Sequence, residues 1–244
     1  LTAVLVPLLP DAQSRVRPGA SAADIALVLR SRTLLLTGLG AAMYDIILYS
    51  YQAWTPTLLA RAYGGQAEGT TGPAFAVMLL AGAAGAWAGG LLADRWQSRR
   101  RDGRVFAAMS AVLLTALSKM VFYLCAGRVG YGSACLVGVV DGTLSILPMA
   151  VLFSIVQDVA PEAYRSLSVG VMGTISFLAG GAWGPLLTGM LSAALGEGAA
   201  GMGAALALSA LAALPACVFL YCARASYVAD RLAATRRSSS SSGE

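Results

Sequence analysis

The sequence predicts an all-helical protein that spans a membrane six times. Of its 244 residues, 57% are hydrophobic and only 12% are charged, which leaves too few polar side chains to cover a water-soluble globule of this size. Six apolar segments are each long enough to cross the roughly 30 Å hydrocarbon core of a bilayer. Short arginine-rich stretches separate some of them, as in the loops on one side of a multi-pass membrane protein.

The chain opens with an apolar fragment, residues 1–10, followed by a polar and basic linker, residues 11–32. The fragment has neither a basic leader nor a cleavage site, and we expect it to be the end of a preceding transmembrane helix. Within the linker, Ser21 and Asp24 have the spacing of a helix-capping box. A short helix at the membrane surface is expected there. Its apolar face would contain Ile25, Val28 and Leu29.

The six predicted spans form one bundle over residues 33–222. They run at about residues 33–59, 73–93, 105–126, 131–156, 167–195 and 202–222. Residues 223–244 are rich in arginine and serine and are expected to form a cytoplasmic, largely disordered tail. Small residues at helical spacing let membrane helices approach closely. The glycines with this spacing are Gly82, Gly85 and Gly89 in the second span and Gly180 and Gly184 in the fifth.

Arginine placement supports this number of spans. If the spans alternate in strict order, fourteen of the sixteen arginines fall on one side of the membrane, and only Arg61 and Arg128 fall on the other. Because positively charged loops stay in the cytoplasm, both ends of the chain are expected to be cytoplasmic. The net charge of +5 therefore comes from the arginines that orient the spans in the membrane, and no nucleic-acid partner is expected.

The sequence contains no histidine, which removes the commonest general base and most metal-binding patterns. It also lacks a P-loop and a nucleophile elbow. We therefore expect no catalytic residue, no metal site and no cofactor. The four cysteines are expected to be free thiols, with a disulfide between Cys125 and Cys135 as an alternative.

Three charged residues lie within the predicted spans, where charge is costly and marks functional sites. Asp45 and Asp141 lie halfway along the first and fourth spans, and each is expected to line a polar cavity in a substrate or proton pathway. The alternative is that a neighbouring hydroxyl or a bound proton satisfies each carboxyl. Lys119 is expected to extend its ammonium group to the membrane surface. Helical spacing aligns the aspartates with Tyr49 and Gln52 in the first span and with Ser145 and Pro148 in the fourth.

The loop between the second and third spans carries the most specific motif. It resembles the G-x-L-a-D-R-x-G-R-R loop of the major facilitator superfamily of secondary transporters, with matches at Gly90, Asp94, Arg95 and Arg99. Gln97 stands where that family usually has its second glycine. The resemblance implies a gating loop in which Asp94 accepts hydrogen bonds from Arg95 or Arg99. The alternative is an ordinary basic loop.

The end of the first span resembles the spinster-like lipid transporters of that superfamily. Their W-x-P-x-(F/L)-L-x-R ending is matched by Trp54, Pro56, Leu59 and Arg61. A second stretch, Gly181–Pro185, stands where these proteins have G-D-A-x-S-P, and it lacks the acidic residue. This glycine- and proline-rich stretch is expected to act as a packing notch or, alternatively, as a hinge.

The resemblance implies that the chain forms helices seven to twelve, the carboxy-terminal bundle of a transporter that works by alternating access. Asp45 and Asp141 would then lie in corresponding helices of two inverted triplets. The expected partners are an amino-terminal six-helix half, membrane lipids and a small amphipathic substrate such as a lysolipid or sphingolipid, with proton coupling as one option. The alternatives are a transport-inactive receptor or scaffold and, less favoured, an intramembrane enzyme.

Overall fold

The computed structural model describes residues 21–196 and 198–241, with side chains through residue 234, and the regular elements in this part of the chain are helices. The apolar fragment 1–10 and linker residues 11–20 lie outside it. The helices are α1 Ala22–Leu29, α2 Arg32–Tyr63, α3 Thr71–Arg99, α4 Gly103–Cys125, α5 Tyr131–Val159, α6 Arg165–Ser176, α7 Gly184–Leu195, α8 Ala199–Ser209 and α9 Ala213–Ser241. A π-helical turn, Phe177–Gly181, precedes α7, and a 3-10 turn, Ala210–Ala212, joins α8 to α9.

Six helical stretches in the described chain are long and apolar enough to cross a membrane, which confirms the predicted number. The spans are Arg32–Gln66, Thr71–Arg99, Gly103–Cys125, Tyr131–Val159, Glu162–Leu195 and Ala199–Ala234. All six are longer than the sequence predicted. A helix of 29 residues, such as α3, is about 44 Å long and exceeds the roughly 30 Å hydrocarbon core, so that its polar end projects into the interface.

The last helix differs most from the prediction. We expected it to end at Cys222, but α9 continues to Ser241. The side chain of Tyr227 is fully buried, and the residues around it bind other helices. Nε of Arg224 donates to Asp102 at 2.5 Å, and the Ser31 hydroxyl donates to Asp230 at 3.1 Å. Burial and pairing therefore keep the chain helical beyond its apolar part.

A capped helix start leads into the bundle. At α1, the Ser21 hydroxyl accepts from the Asp24 amide and the Asp24 carboxylate accepts from the Ser21 amide, which confirms the capping box. Only part of the expected apolar face is covered. Val28 packs with Leu34 and Met172, whereas Ile25 and Leu29 remain exposed.

The glycines of the second span lie against α5, and this confirms the predicted close packing. A Cβ added at Gly85 would lie 1.6 Å from the carbonyl oxygen of Thr143, and one at Gly89 would lie 2.5 Å from that of Leu147. On the facing helix, a Cβ at Gly142 would lie 2.0 Å from the Met78 carbonyl oxygen. The α3 and α5 backbones are thus in direct contact.

The glycines of the fifth span pack on α2 in the same way. A Cβ at Gly180 would lie 1.8 Å from the Ala42 carbonyl oxygen, and one at Gly184 would lie 2.6 Å from that of Ile46. The π-helical turn therefore forms a packing notch for α2, as the sequence predicted. A hinge motion at this notch stays a prediction.

The six spans are buried to different extents. In the most apolar part of the first span 67% of the residues are buried, compared with 22% in the second span and 33% in the fifth. The second and fifth spans accordingly present large exposed side chains, of which Leu80, Trp87 and Met190 are the most prominent. The first span is the centre of this bundle, and the second and fifth spans form much of its uncovered surface.

A buried ion pair and the loop network as the candidate functional site

The most polar part of the membrane-spanning core surrounds Lys119 on α4. Its side chain is fully buried, and Nζ donates to Asp141 Oδ2 at 3.0 Å and to Ser145 Oγ at 2.8 Å. The ammonium group also lies 3.4 Å from the ring centroid of Tyr51, in cation–π contact. The prediction that Lys119 reaches the membrane surface is therefore wrong. Its side chain points between α2 and α5, and Asp141 is its partner.

We define the Lys119 cluster as Tyr44, Tyr51, Ser118, Lys119, Asp141 and Ser145. The Ser118 hydroxyl donates to Asp141 Oδ1 at 3.0 Å, so both oxygens of this carboxylate have donors. The Tyr44 hydroxyl donates to the main-chain carbonyl of Ser145. Asp141 and Ser145 thus lie together as the helical spacing predicted, and three helices supply the cluster.

Three buried hydroxyls have no hydrogen-bond partner in the described chain: that of Tyr51, within this cluster, and those of Thr55 and Tyr123. Those of Thr55 and Tyr123 lie close together without reaching hydrogen-bonding geometry. Hydroxyls and an ammonium group are hydrogen-bond donors, and a substrate oxygen or a water molecule is the complementary acceptor. The region combines polar groups with an apolar surround, as small-molecule sites do.

The second predicted stripe lies against the π-helical turn rather than in the Lys119 cluster. Asp45 is 2% exposed and has Ser176 as a hydroxyl neighbour, while its Oδ1 atom has no hydrogen-bond partner in the described chain. Tyr49 is partly buried and makes an edge contact with Phe177, with the ring centroids 5.5 Å apart. Gln52 is also partly buried. The structure therefore places the two aspartates in separate polar sites.

The loop between the second and third spans lies at the end of the bundle that we call the basic end, which contains the turn between α3 and α4. Asp94 is largely exposed and accepts a hydrogen bond from Arg104 Nη2 at 2.8 Å, rather than from Arg95 or Arg99 as expected. Gly90 has open space on its Cβ side. Arg95 and Arg99 are exposed. The partner of Asp94 thus lies on α4, the helix after the loop.

Two aspartates at the basic end were missed in the sequence. Asp158, at the end of α5, accepts hydrogen bonds from Arg104 and from the Tyr227 hydroxyl, and it forms a 3.8 Å ion pair with Arg231. Asp102 pairs with Arg224 on α9. Their pairing with arginines could have been predicted from the sequence, because both aspartates follow apolar spans and the arginine-rich segments lie on the same side of the membrane.

Gln97 connects this network to the loop. Its Oε1 atom accepts from the Arg104 amide and the Tyr227 hydroxyl, both at 3.2 Å, and its Nε2 atom donates to the Arg101 carbonyl at 3.1 Å. A glycine, the usual residue at this position in the related loop, has no side chain to make these bonds. The hydrogen bonds of Gln97 therefore hold the loop where related proteins have a tight turn at glycine.

The charges at Asp102 act in opposite directions. Partial burial acts to raise the pKa of this carboxyl, but the hydrogen bond from Arg224 and the charges of Arg224 and Arg100 outweigh it and lower the pKa below its usual value. Asp102 is therefore ionised at neutral pH and holds α9 against the loop.

In the described part of the chain, no group of three or more acidic or cysteine side chains could hold a metal ion, and all four cysteines are free.

The two stretches in which the sequence resembles spinster-like proteins contact each other. The indole Nε1 of Trp54 donates to the Pro185 carbonyl at 2.8 Å, and Gly189 on α7 packs against the same ring. The end of the first span is thus fixed to the start of α7, one helical turn beyond the notch. The acidic residue absent from Gly181–Pro185 has no substitute within that stretch.

Comparisons with known proteins agree with this architecture. Two solved structures of a bacterial homologue of the human lysosomal transporter Spinster resemble the chain, both inward-facing, one unoccupied and one occupied. The unoccupied one is 17% identical with a TM-score of 0.62, covering 93% of this chain and 53% of that chain; the occupied one is 19% identical with a TM-score of 0.55, covering 91% and 53%.

This chain therefore spans about half the length of these structures, and its six spans fit a carboxy-terminal half. No curated protein matches it in sequence. The family model described as Major Facilitator Superfamily matches residues 1–185, about three quarters of the sequence. The chain is an integral, multi-pass membrane protein that belongs to the major facilitator superfamily.

Proposed function

We propose that this chain is the carboxy-terminal half of a spinster-like secondary transporter that moves a small amphipathic molecule by alternating access. The observation that carries the proposal is the Lys119–Asp141 ion pair, fully buried at the junction of three spans. Charged groups within a membrane protein face a bundle interior or a pathway and mark substrate or ion sites. The proposed activity requires no chemical step.

The proposed partner is an amino-terminal six-helix half. Alternating access needs two bundles that move against each other around a site between them. The second and fifth spans are the least buried, at 22% and 33%, and they offer the largest uncovered surface for that half. Both ends of the chain would be cytoplasmic, because the basic end carries most of the arginines.

An amphipathic substrate with an anionic or strongly hydrogen-bonding head group fits this polar region. The hydroxyls of Tyr51 and Tyr123, which have no hydrogen-bond partner in the described chain, are donors beside the Lys119–Asp141 pair, and apolar side chains surround them. The likeness to the bacterial Spinster homologue supports a transporter fold. We choose a lysophospholipid as the first substrate to test, because its phosphate head group accepts hydrogen bonds and its acyl chain is apolar.

Gly90, Asp94, Arg95 and Arg99 would form the inner gate of this transporter. In the described conformation Asp94 and Asp158 share Arg104, which joins the ends of α3 and α5 through α4. A conformational change that separates these ends must break one or both pairs, so their strength sets the balance between the two states.

The test is uptake of a fluorescent lysophospholipid by liposomes that contain the complete transporter. We expect Asp94→Asn to reduce the uptake rate, because an amide keeps the volume of the side chain but loses the charge that binds Arg104. The matched control is Ser98→Ala in the same loop, whose hydroxyl binds only the Arg95 carbonyl in the described chain. Equal rates in Asp94→Asn and the wild type would contradict the gating role.

The same assay tests the proposed function itself. Saturable uptake that exceeds that of empty liposomes is expected for the wild type. Ligand binding without any flux, for this probe and for chemically different amphiphiles, would instead support the receptor or scaffold alternative.

A further inference from the structure

Asp45 is a buried carboxyl group that the described structure leaves incompletely paired. It lies halfway along α2 and is 2% exposed. Ser176, the last residue of α6, is its hydroxyl neighbour, and Oδ1 has no hydrogen-bond partner in the described chain. A buried polar atom without a partner is rare and calls for an explanation, such as a mobile ligand.

Asp141 provides a direct contrast, since it occupies a similar depth in the fourth span. Its two carboxylate oxygens accept from Lys119 and Ser118, both at 3.0 Å. Lys119 supplies the opposite charge that a buried carboxylate needs as a partner. Asp45 has no such cation in the described chain.

The groups that face Asp45 from each neighbouring element are neutral. Its own helix supplies two phenols within electrostatic range, Tyr44 and Tyr49, and α6 supplies the hydroxyl of Ser176. The π-helical turn contributes glycine backbone and Phe177. On the side of α9, Leu220 packs at Gly40, five residues before Asp45. No lysine or arginine of the described chain has a hydrogen bond or ion pair with Asp45.

An unpaired carboxylate in such surroundings is unfavourable, so the group binds a proton instead of remaining charged. A protonated carboxyl can donate to one hydroxyl and needs no cation. Contact with water would reverse the preference, because water solvates the charged form. Asp45 would therefore bind a proton when its site is closed and release it when the site is open.

The neighbouring seam offers a route for such opening. Gly180 and Gly184 bring the π-helical turn and α7 into backbone contact with α2 on either side of Asp45, at Ala42 and Ile46. Backbone contacts of this kind separate without displacing large side chains. The aromatic pair of Tyr49 and Phe177 covers the next turn, and Phe177 is 45% exposed on the uncovered face of the bundle. π-Helical turns are also frequent at functional sites.

We propose that Asp45 is the carboxyl that binds and releases the coupling proton, with Ser176 as its hydroxyl partner, and that Asp141 serves instead as the ion-pair partner of Lys119. The proposal rests on the proposed transport function for the meaning of the proton, but the protonation itself can be measured without any substrate. Asp45 and Asp141 thus have different roles, although the sequence predicted the same role for both.

The test is an infrared pH titration of the complete transporter in lipid, which follows the C=O stretching band of protonated carboxyl groups. We expect the wild type to show a buried-carboxyl band near neutral pH that disappears on alkalinisation. The band should be lost in Asp45→Asn, retained at a changed frequency in Asp45→Glu and shifted in Ser176→Ala. It should persist when Asp141 is removed, either in Asp141→Asn or, if that variant does not fold, in the double variant Lys119→Met/Asp141→Asn.

Three results would overturn the assignment: a band that survives in Asp45→Asn, a band that is lost with Asp141, and a band that never titrates in the wild type. A second measurement separates this proposal from the proposed function. In liposomes, a pH gradient should increase lysophospholipid uptake by the wild type and have no effect on uptake by Asp45→Asn. A titrating Asp45 band in a protein with no flux would refute the transport function and the coupling role, but not proton binding by Asp45.

Discussion

At the scale of single residues, Lys119 shows what a position along a helix cannot reveal. Its position in the third span predicted a depth near enough to the surface for a long side chain to reach water. Its direction depends on which helices lie beside α4, and the structure places Asp141 and Ser145 there. Asp141 and Ser145 were identified because both lie on one helix, whereas the cation belongs to another.

The buried pair predicts a strong coupling between its two residues. Removing either charge alone, by Lys119→Met or Asp141→Asn, should destabilise the complete transporter by about 3–5 kcal/mol, because the remaining charge is buried without a partner. The double variant should recover most of that loss. Thermal unfolding of the four proteins in detergent gives the coupling energy, and simple additivity of the two single effects would show that the pair is not coupled.

At the scale of helices, the network at the basic end explains why α9 extends past its apolar segment. Tyr227, Arg224 and Arg231 each bind an aspartate on another element, Asp158 or Asp102. The sequence predicted that residues 223–234 belong to a charged tail. Their partners lie more than 60 residues away along the chain, so the local sequence does not show them. Periodicity identifies apolar spans, but it does not identify polar helices that are held by distant charges.

Tyr227 should therefore control the stability of this extension. Tyr227→Phe removes the hydroxyl that donates to Asp158 and Gln97, and the loss should cost about 1–3 kcal/mol. Amide hydrogen exchange over residues 223–234 should accelerate by about 5- to 150-fold, the equivalent of that cost. Tyr131→Phe, which removes a hydroxyl near Thr70 at the other end of the bundle, is the control. Unchanged exchange in Tyr227→Phe would show that apolar packing alone holds the helix.

At the scale of the whole molecule, the sequence predicted the number of spans, their order and the glycines that pack them. These follow from composition and helical spacing, which are local properties. The pairing of α3 with α5, the contact of Trp54 with Pro185 and the separation of Asp45 from Asp141 are properties of the assembled bundle. They depend on which helices pack against each other in the bundle. The periodicity of a single sequence does not show this.

The uncovered surface predicts where the partner half binds. A cysteine at Leu80 in the second span, 74% exposed, should react with a lipid-soluble maleimide when the chain is inserted alone and should be protected when the amino-terminal half is present. Leu117→Cys in the half-buried third span, 62% exposed, is the matched control and should react in both cases. Equal labelling of Leu80→Cys with and without the other half would place the interface elsewhere.

The contact between Gly85 and Thr143 also limits how this gene can vary. A Cβ at Gly85 would lie 1.6 Å from a carbonyl oxygen, and every other amino acid carries a Cβ. No missense change in this codon is small enough to be harmless, so that only silent changes at its third base are tolerated. Gly132 has the same type of codon, but a Cβ there would meet nothing within 4 Å. Over many generations the codon for Gly132 can change to encode other residues, while the codon for Gly85 continues to encode glycine.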